Sequence, residues 1–172
     1  MNKSSAVVLC GLVASGSAWA YQRGAVRSHY ADESVGYSLD TPKFPAPGER
    51  QVVLAVFSGQ PEAGFGSNMT VINQAVSTTR KAYRDVTLAS FQKLGLKVNE
   101  DRDVTVSGRD AIRLDYEGKT NARDLRFLSL AVIEKDRVLL FTCTATVDAF
   151  PKIAAEFRSS LDSVRLREGP RP

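Results

Sequence analysis

Histidine and cysteine are scarce in this chain: one histidine and two cysteines in 172 residues. A zinc site of ordinary nitrogen and sulfur ligands cannot be assembled from that supply. An acyl-transfer centre needs a nucleophile, a base and an orienting acid close together. His29 sits in a poorly patterned N-terminal stretch, which suits an exposed spectator. Cys143 lies within the run LLFTCTAT, where alternation sets it beside Phe141 and Ala145. That pattern describes a small buried hydrophobe and not a reactive thiolate, which needs an electropositive and accessible setting. The acidic stretch Asn99 to Asp103 lacks the central glycine and closing glutamate of a calcium loop, so it reads as a solvated turn. Asp115, Glu117 and Asp124 are the carboxylates that paired-acid glycosidase chemistry would draw on, but nothing in their spacing pairs them. GFGSN is not a phosphate loop: the Walker form ends in Gly-Lys-Ser/Thr, and the dinucleotide form is followed at once by a helix, whereas a strand pattern follows here. The reading is of a non-enzyme, with no catalytic residues, no metal and no cofactor.

Long apolar runs are absent too. The longest near the N-terminus, centred on Val7 to Val13, is far short of the ~20 residues that span a bilayer. It sits between Lys3 and the small-x-small ending Ala18-Trp19-Ala20, the layout of a secretory signal peptide. Cleavage is expected after Ala20, giving a mature periplasmic or secreted chain that starts at Tyr21. Cys10 lacks the small preceding residue of a lipoprotein signal, so lipidation is not expected. Cleavage would leave Cys143 alone, without an internal disulfide. Removing Lys3 lowers the formal net charge from +4 to about +3. Basic clusters such as TTRKAYR and VRLREGPRP read as solvated faces, and export argues against a nucleic-acid partner. Weak attraction to an anionic membrane surface stays open.

The remaining sequence is well patterned. Residues 21–34 read as a flexible lead-in, 35–166 as one domain and 167–172 as a disordered tail. Tyr37 to Asp40 is a short strand that breaks into a proline-rich loop, and Val52 to Ser58 is a buried strand. In PEAGFGSNMTVINQAV, Gly64 and Gly66 permit a sharp entry into a strand, with Phe65 packing inward and Asn68 bonding nearby backbone. Met69 and Val71 share one strand face; Asn68, Thr70 and Ile72 share the other. A helix over Thr79 to Leu94 is expected to bury Ala82, Val86, Ala89 or Ser90, and Leu94, and to stop at Gly95. Leu96 to Val98 is a short strand. A hairpin turns at Ser107 to Asp110, with Ile112, Leu114 and Tyr116 on the core and Arg113, Asp115 and Glu117 in water. A second hairpin turns at about Lys135-Asp136, and Val138 to Phe141 marks a central strand. A last helix starting at Asp148 carries Pro151 in its first turn and the stripe Phe150, Ile153, Ala154, Phe157 and Leu161. Val164 and Leu166 close the domain.

The order of these pieces resembles the PsbP-like and DcrB-like superfamily over about Val35 to Leu166. The resemblance rests on GYSLDTP, the Gly-rich approach to SNMTVINQ, the helix ending before Gly95, VSGRDAIRLDYEG, VLLFTCTAT and FPKIAAEFRSSLDSVRL. It implies an α+β fold: an α/β/α sandwich around a mostly antiparallel sheet of about six or seven strands. It matches Asn68 to the asparagine that opens the strand, Gly108 and Ala111 to the hairpin, and Phe157, Ser160 and Leu161 to the last helix and its exit toward Ser163. Gly64, Gly66, Gly95, Gly108, Cys143 and Phe157 are then structural, and Phe65, Asn68 and Tyr83 are the candidate partner- or ligand-binding residues. Roles in this superfamily are diverse and mostly non-enzymatic, and fold analogy does not choose among them. The expectation is an exported accessory or binding domain that contacts another periplasmic or membrane-associated protein, with no integral membrane span. Two alternatives remain: a carrier holding a small apolar ligand between the sheet and the helix Thr79 to Leu94, and an extrinsic photosystem-type subunit.

Overall fold

The computed structural model describes residues 29–32, 36–40, 47–51, 55–62, 64–120 and 122–167. The leader, its cleavage point, Cys10 and Val52 lie outside these. Among the described residues ten strands and two helices run in the order β1 (His29–Asp32), β2 (Tyr37–Asp40), β3 (Pro47–Gln51), β4 (Ala55–Glu62), β5 (Phe65–Gln74), α1 (Arg80–Lys93), β6 (Lys97–Val106), β7 (Arg109–Thr120), β8 (Arg123–Ile133), β9 (Val138–Thr146), α2 (Phe150–Asp162) and β10 (Arg165–Leu166). Seven strands form one antiparallel sheet in the order β3-β4-β5-β9-β8-β7-β6, and β1-β2-β10 form a small second sheet. The expected α+β sandwich is therefore present, and β9, carrying Val138 to Phe141, holds the middle position.

The large sheet has a core on each face. On one side α2 lays Phe150, Ile153, Ala154, Phe157 and Leu161 onto Leu128, Leu130, Leu139, Phe141 and Cys143, and the small sheet adds Tyr30, Tyr37 and Leu39. The expected stripe of α2 is the buried one, joined by Ser160. On the other side α1 packs on β6 and β7, where Phe91 meets Tyr116 at 4.2 Å between ring centres and Tyr116 stacks on Phe127 at 4.8 Å.

Several local expectations are corrected. Helix α1 has the expected limits, with Thr79 Oγ1 capping Ala82 N and Leu94 at the C-cap. However, it buries Tyr83, Thr87 and Phe91, while Val86 and Leu94 remain 47% and 61% exposed. Two aromatic rings remove far more apolar surface from water than Ala82 and Val86 can, so they decide which face turns inward. Strand β7 is not wet on its second side. Arg113 and Asp115 are only 7% and 3% exposed, because α2 lies across that face and the pairs Arg113–Asp162 (2.7 Å) and Asp115–Arg126 (2.9 Å) satisfy the charges there.

The stretch Asn99 to Asp103 is not a turn. It is the middle of β6, an exposed edge strand whose pairing with β7 shifts register between Val98 and Glu100. Charge and a bulge are what an unpaired sheet edge needs to resist adding another strand. The proline-rich stretch contains β3, another edge strand, with Pro47 at its first residue where no ladder donor is lost. The stretch read as a flexible lead-in includes β1, paired residue for residue with β2, and its Tyr30 is buried against Phe57.

Candidate functional site

The strand registers define two ends of the large sheet. One end gathers the β4–β5 hairpin, the β7–β8 turn, the exit of β9 into α2, and the turn from α1 into β6, as the registers Glu62↔Phe65, Asn68↔Thr144, Leu125↔Thr146, Thr120↔Arg123 and Lys97↔Glu117 require. The opposite end holds the N-terminus of α1, the β6–β7 turn and the β8–β9 turn.

At the first end the Gly-rich segment is a hairpin. Gly64 adopts φ 75°, and a Cβ on Gly66 would come within 2.7 Å of the Gly59 carbonyl oxygen. Asn68 Nδ2 donates to the Gly66 carbonyl at 3.1 Å. The guanidinium of Arg123, the first residue of β8, lies 5.9 Å from the centre of the half-buried Phe65 ring and against Gly64. Val147, 36% exposed, follows β9, and its N–H donates to the Asp124 carbonyl at 3.0 Å. The α1–β6 turn is a Schellman closure: Gly95 at φ 69°, Gly95 N–H to Gln92 O at 3.2 Å and Leu96 N–H to Phe91 O at 2.9 Å. Leu96 lies against Gly118, while Leu94 faces outward. Of the three exposed large apolar side chains among the described residues, this end holds Leu94 and Val147, and Val86 lies along α1.

A polar chain runs from this end under α2. Lys97 Nζ and Asn99 Nδ2 donate to Glu117 at 3.0 and 3.2 Å, and these bonds hold its carboxyl below the usual glutamate range. Asn99, the bulge residue, also donates to Asp115 Oδ1 at 3.3 Å. Arg126 grips both oxygens of Asp115 at 2.9 Å, and its guanidinium lies 4.6 Å from the centre of the Phe150 ring. The hydrogen bonds that Arg126 donates to Asp115 keep its guanidinium firmly protonated. Both carboxylates are thus committed to structural partners, and Asp124 lies on the next strand.

The opposite end has an open depression of about 500 Å³ lined by Thr78, Thr79, Arg80, Arg109, Asp110, Ile133, Glu134 and Lys135. Its arginines are engaged by the protein. Arg80 pairs with Asp110 at 3.2 Å and Asp103 at 3.4 Å. Arg109 donates to Glu134, to Ser107 O and to Arg167 O at 2.8 to 3.2 Å.

Of the candidate binding residues, Phe65 and Asn68 come together at the first end. Tyr83 does not join them. It is buried under α1 with its hydroxyl donating to Gln74 Oε1 at 2.9 Å, and Phe65 and Gln74 stand at opposite ends of β5, roughly 30 Å apart at strand rise. Val147 was missed by sequence reasoning, although an apolar residue in the stretch Val147-Asp148 between a strand and a helix cap is a signal that could have been read. His29 pairs with Asp40 at 3.1 Å on the exposed side of β1, whereas Cys143 is fully buried in the core, where desolvation pushes its thiol well above the usual range. The chain's base and its thiol are thus kept apart. Among the described residues no group of three or more metal-ligating side chains could hold an ion, and no helix is long and apolar enough to cross a membrane.

No family model and no curated protein matches the chain by sequence. Solved structures do match its fold. A Pseudomonas aeruginosa protein of unknown function is similar at 20% identity and a TM-score of 0.58, over 85% of this chain and 98% of that one. Cyanobacterial PsbP from Synechocystis is similar at 16% identity and 0.56, over 88% and 98%. LpqN, involved in cell envelope biogenesis of Mycobacterium tuberculosis, is similar at 13% identity and 0.56, over 83% and 91%. At these identities the likeness is one of architecture: the chain shares its fold with these structures.

Proposed function

We propose that this protein is an exported, non-catalytic accessory domain of the bacterial envelope, and that it binds another envelope protein through the end of the sheet formed by Phe65, Leu94, Arg123 and Val147. The observation that carries the reading is the exposure of Leu94 and Val147 among charged residues at one end of a domain whose two cores are otherwise closed. Apolar groups inside a polar rim are the usual signature of a protein contact. The leader-like first 20 residues supply the compartment, and LpqN offers an envelope precedent for the architecture.

The carrier reading needs a concave apolar hollow between α1 and the sheet. Tyr83, Phe91, Tyr116 and Phe127 fill that space with stacked and hydrogen-bonded rings, so protein binding is favoured. The photosystem-type role gains only the fold likeness to cyanobacterial PsbP.

Site-specific photo-crosslinking in cells tests the proposal. A photoreactive residue at 94 or 147 is expected to give one discrete protein adduct in the envelope fraction, and the same residue at 135, beside the depression, is expected to give none. Adducts from position 135 alone would move the contact to the other end and contradict the reading.

A further inference from the structure

Helix α1 closes the aromatic core on its side of the sheet, packing on β6 and β7. Beyond that core, β9, β5 and β4 carry no helix on the same face among the described residues. Met69, Val71, Phe141 and Cys143 face α2, so their neighbours Thr70, Ile72, Leu140 and Thr142 face the α1 side, with Val56 in register with Thr70. Val56, Ile72, Leu140 and Thr142 are only half-buried. No charged side chain falls on this face between Val56 and Ser58, Asn68 and Gln74, or Val138 and Thr144, although 24% of the chain is charged. The flank of α1 beside this floor is uncharged as well. Arg84 bonds Asp101 and Asp103 on β6, which turns its side of the helix toward the sheet edge. Residues two apart on a helix stand about 200° apart, so Ala82 and Val86 lie on the opposite flank, over the open strands, with Ala89 next to them. All three are exposed, Val86 at 47%. Helix α1 therefore has one stripe, Tyr83, Thr87 and Phe91, seated on its own sheet and a second that no described residue covers.

We infer that this face is a contact between two copies of the chain, in a weak two-fold dimer. A helix standing on half of a sheet makes a step, and a step is complementary to itself. Turned about a two-fold axis along its edge, each copy lays α1 on the bare floor of the other, and the two Val86 side chains meet near the axis. The lengths agree: the 14 residues of α1 span about 21 Å, and six residues of a floor strand span about 20 Å. The charges agree too, because a two-fold contact sets a patch against its own copy, where a charged floor would repel itself and an uncharged one does not. Three strands about 4.8 Å apart make that floor roughly 300 Å². With a helix flank of similar size from each side, two copies bury on the order of 1,200 Å², the lower end for a specific contact. The face lies along the strands, whereas Val147 lies at their ends, so the inference stands apart from the partner reading.

Sedimentation velocity of the full exported protein from low to high micromolar concentration tests it, and the mass is expected to rise from one chain to two. Val86→Lys changes an exposed site and should leave the fold intact, but it should weaken the dimer by at least about a hundredfold, because two ammonium groups then meet at the axis. Val86→Glu should do the same. An equal mixture of the two variants should recover a dimer holding one of each, which requires residue 86 to face its own copy. The mass of a single chain at every concentration would overturn the inference. So would a dimer that both variants leave intact, which would place the interface elsewhere, or a mixture that stays monomeric. A photoreactive residue at 86 that captured a different protein in cells, and not its own copy, would give the face to that protein and overturn the dimer as well.

Discussion

Gly66 has no room for a side chain: a methyl group there would meet the Gly59 carbonyl oxygen at 2.7 Å, and backbone cannot rotate out of the way as a flexible side chain can. Gly66→Ala is expected to destabilise the protein by about 1–3 kcal/mol, read from urea unfolding. Cys143 makes a different prediction. Its burial raises the thiol far from ionisation, so a maleimide should label it only as fast as the domain unfolds. Rapid labelling of the native protein would contradict the packing described. Glu117 sets a pH dependence. Its folded pKa lies below its unfolded value because Lys97 and Asn99 bond the charged form. Its contribution is therefore complete above the ordinary glutamate range and lost as pH falls through the lowered value. Between pH 7 and pH 3 the wild type should lose more stability than Glu117→Gln, measured by urea midpoints at both pH values.

At the scale of elements, α1 gives the sharpest contrast. Phe91→Ala should cost about 3–5 kcal/mol, whereas Val86→Ala should stay within about 0.5 kcal/mol. The reverse order would restore the face read from the sequence. That reading failed because α1 carries apolar residues on two faces, and periodicity alone cannot weigh two alanines and a valine against two rings. In α2 the apolar residues form one stripe, and there the expected and observed faces coincide. The hairpins were legible for a related reason. Ser107-Gly108 takes φ values of 48° and 74°, as a two-residue turn between twisted strands requires, and alternating residues flank it. The two ends of β6 were legible as strand, but its middle was not, because Asn99 to Asp103 look like a turn until pairing with β7 is known. Arg113 and Asp115 misled similarly: alternation marks a polar face, but whether water or a helix covers that face is a tertiary fact.

The whole molecule is a seven-stranded sheet closed on one side by α2 and the small sheet and on the other by α1. Its architecture was readable because turns, caps and stripes punctuate the chain clearly. The candidate site was readable only in part. Phe65 and Asn68 lie at the end proposed for the contact, but Leu94 was assigned to the core, and exposure of a helix-terminal leucine depends on how the last turn meets the sheet. The role proposed for this domain is that of an exported protein that works by binding another protein. Native mass spectrometry of the full-length gene product, expressed with its own leader and recovered gently from the periplasmic fraction, tests that claim most directly. A chain beginning at Tyr21, free of any small-molecule adduct, is expected together with a complex heavier by one protein subunit. A retained leader, a lipid on Cys10, or a small apolar mass released on denaturation would contradict it.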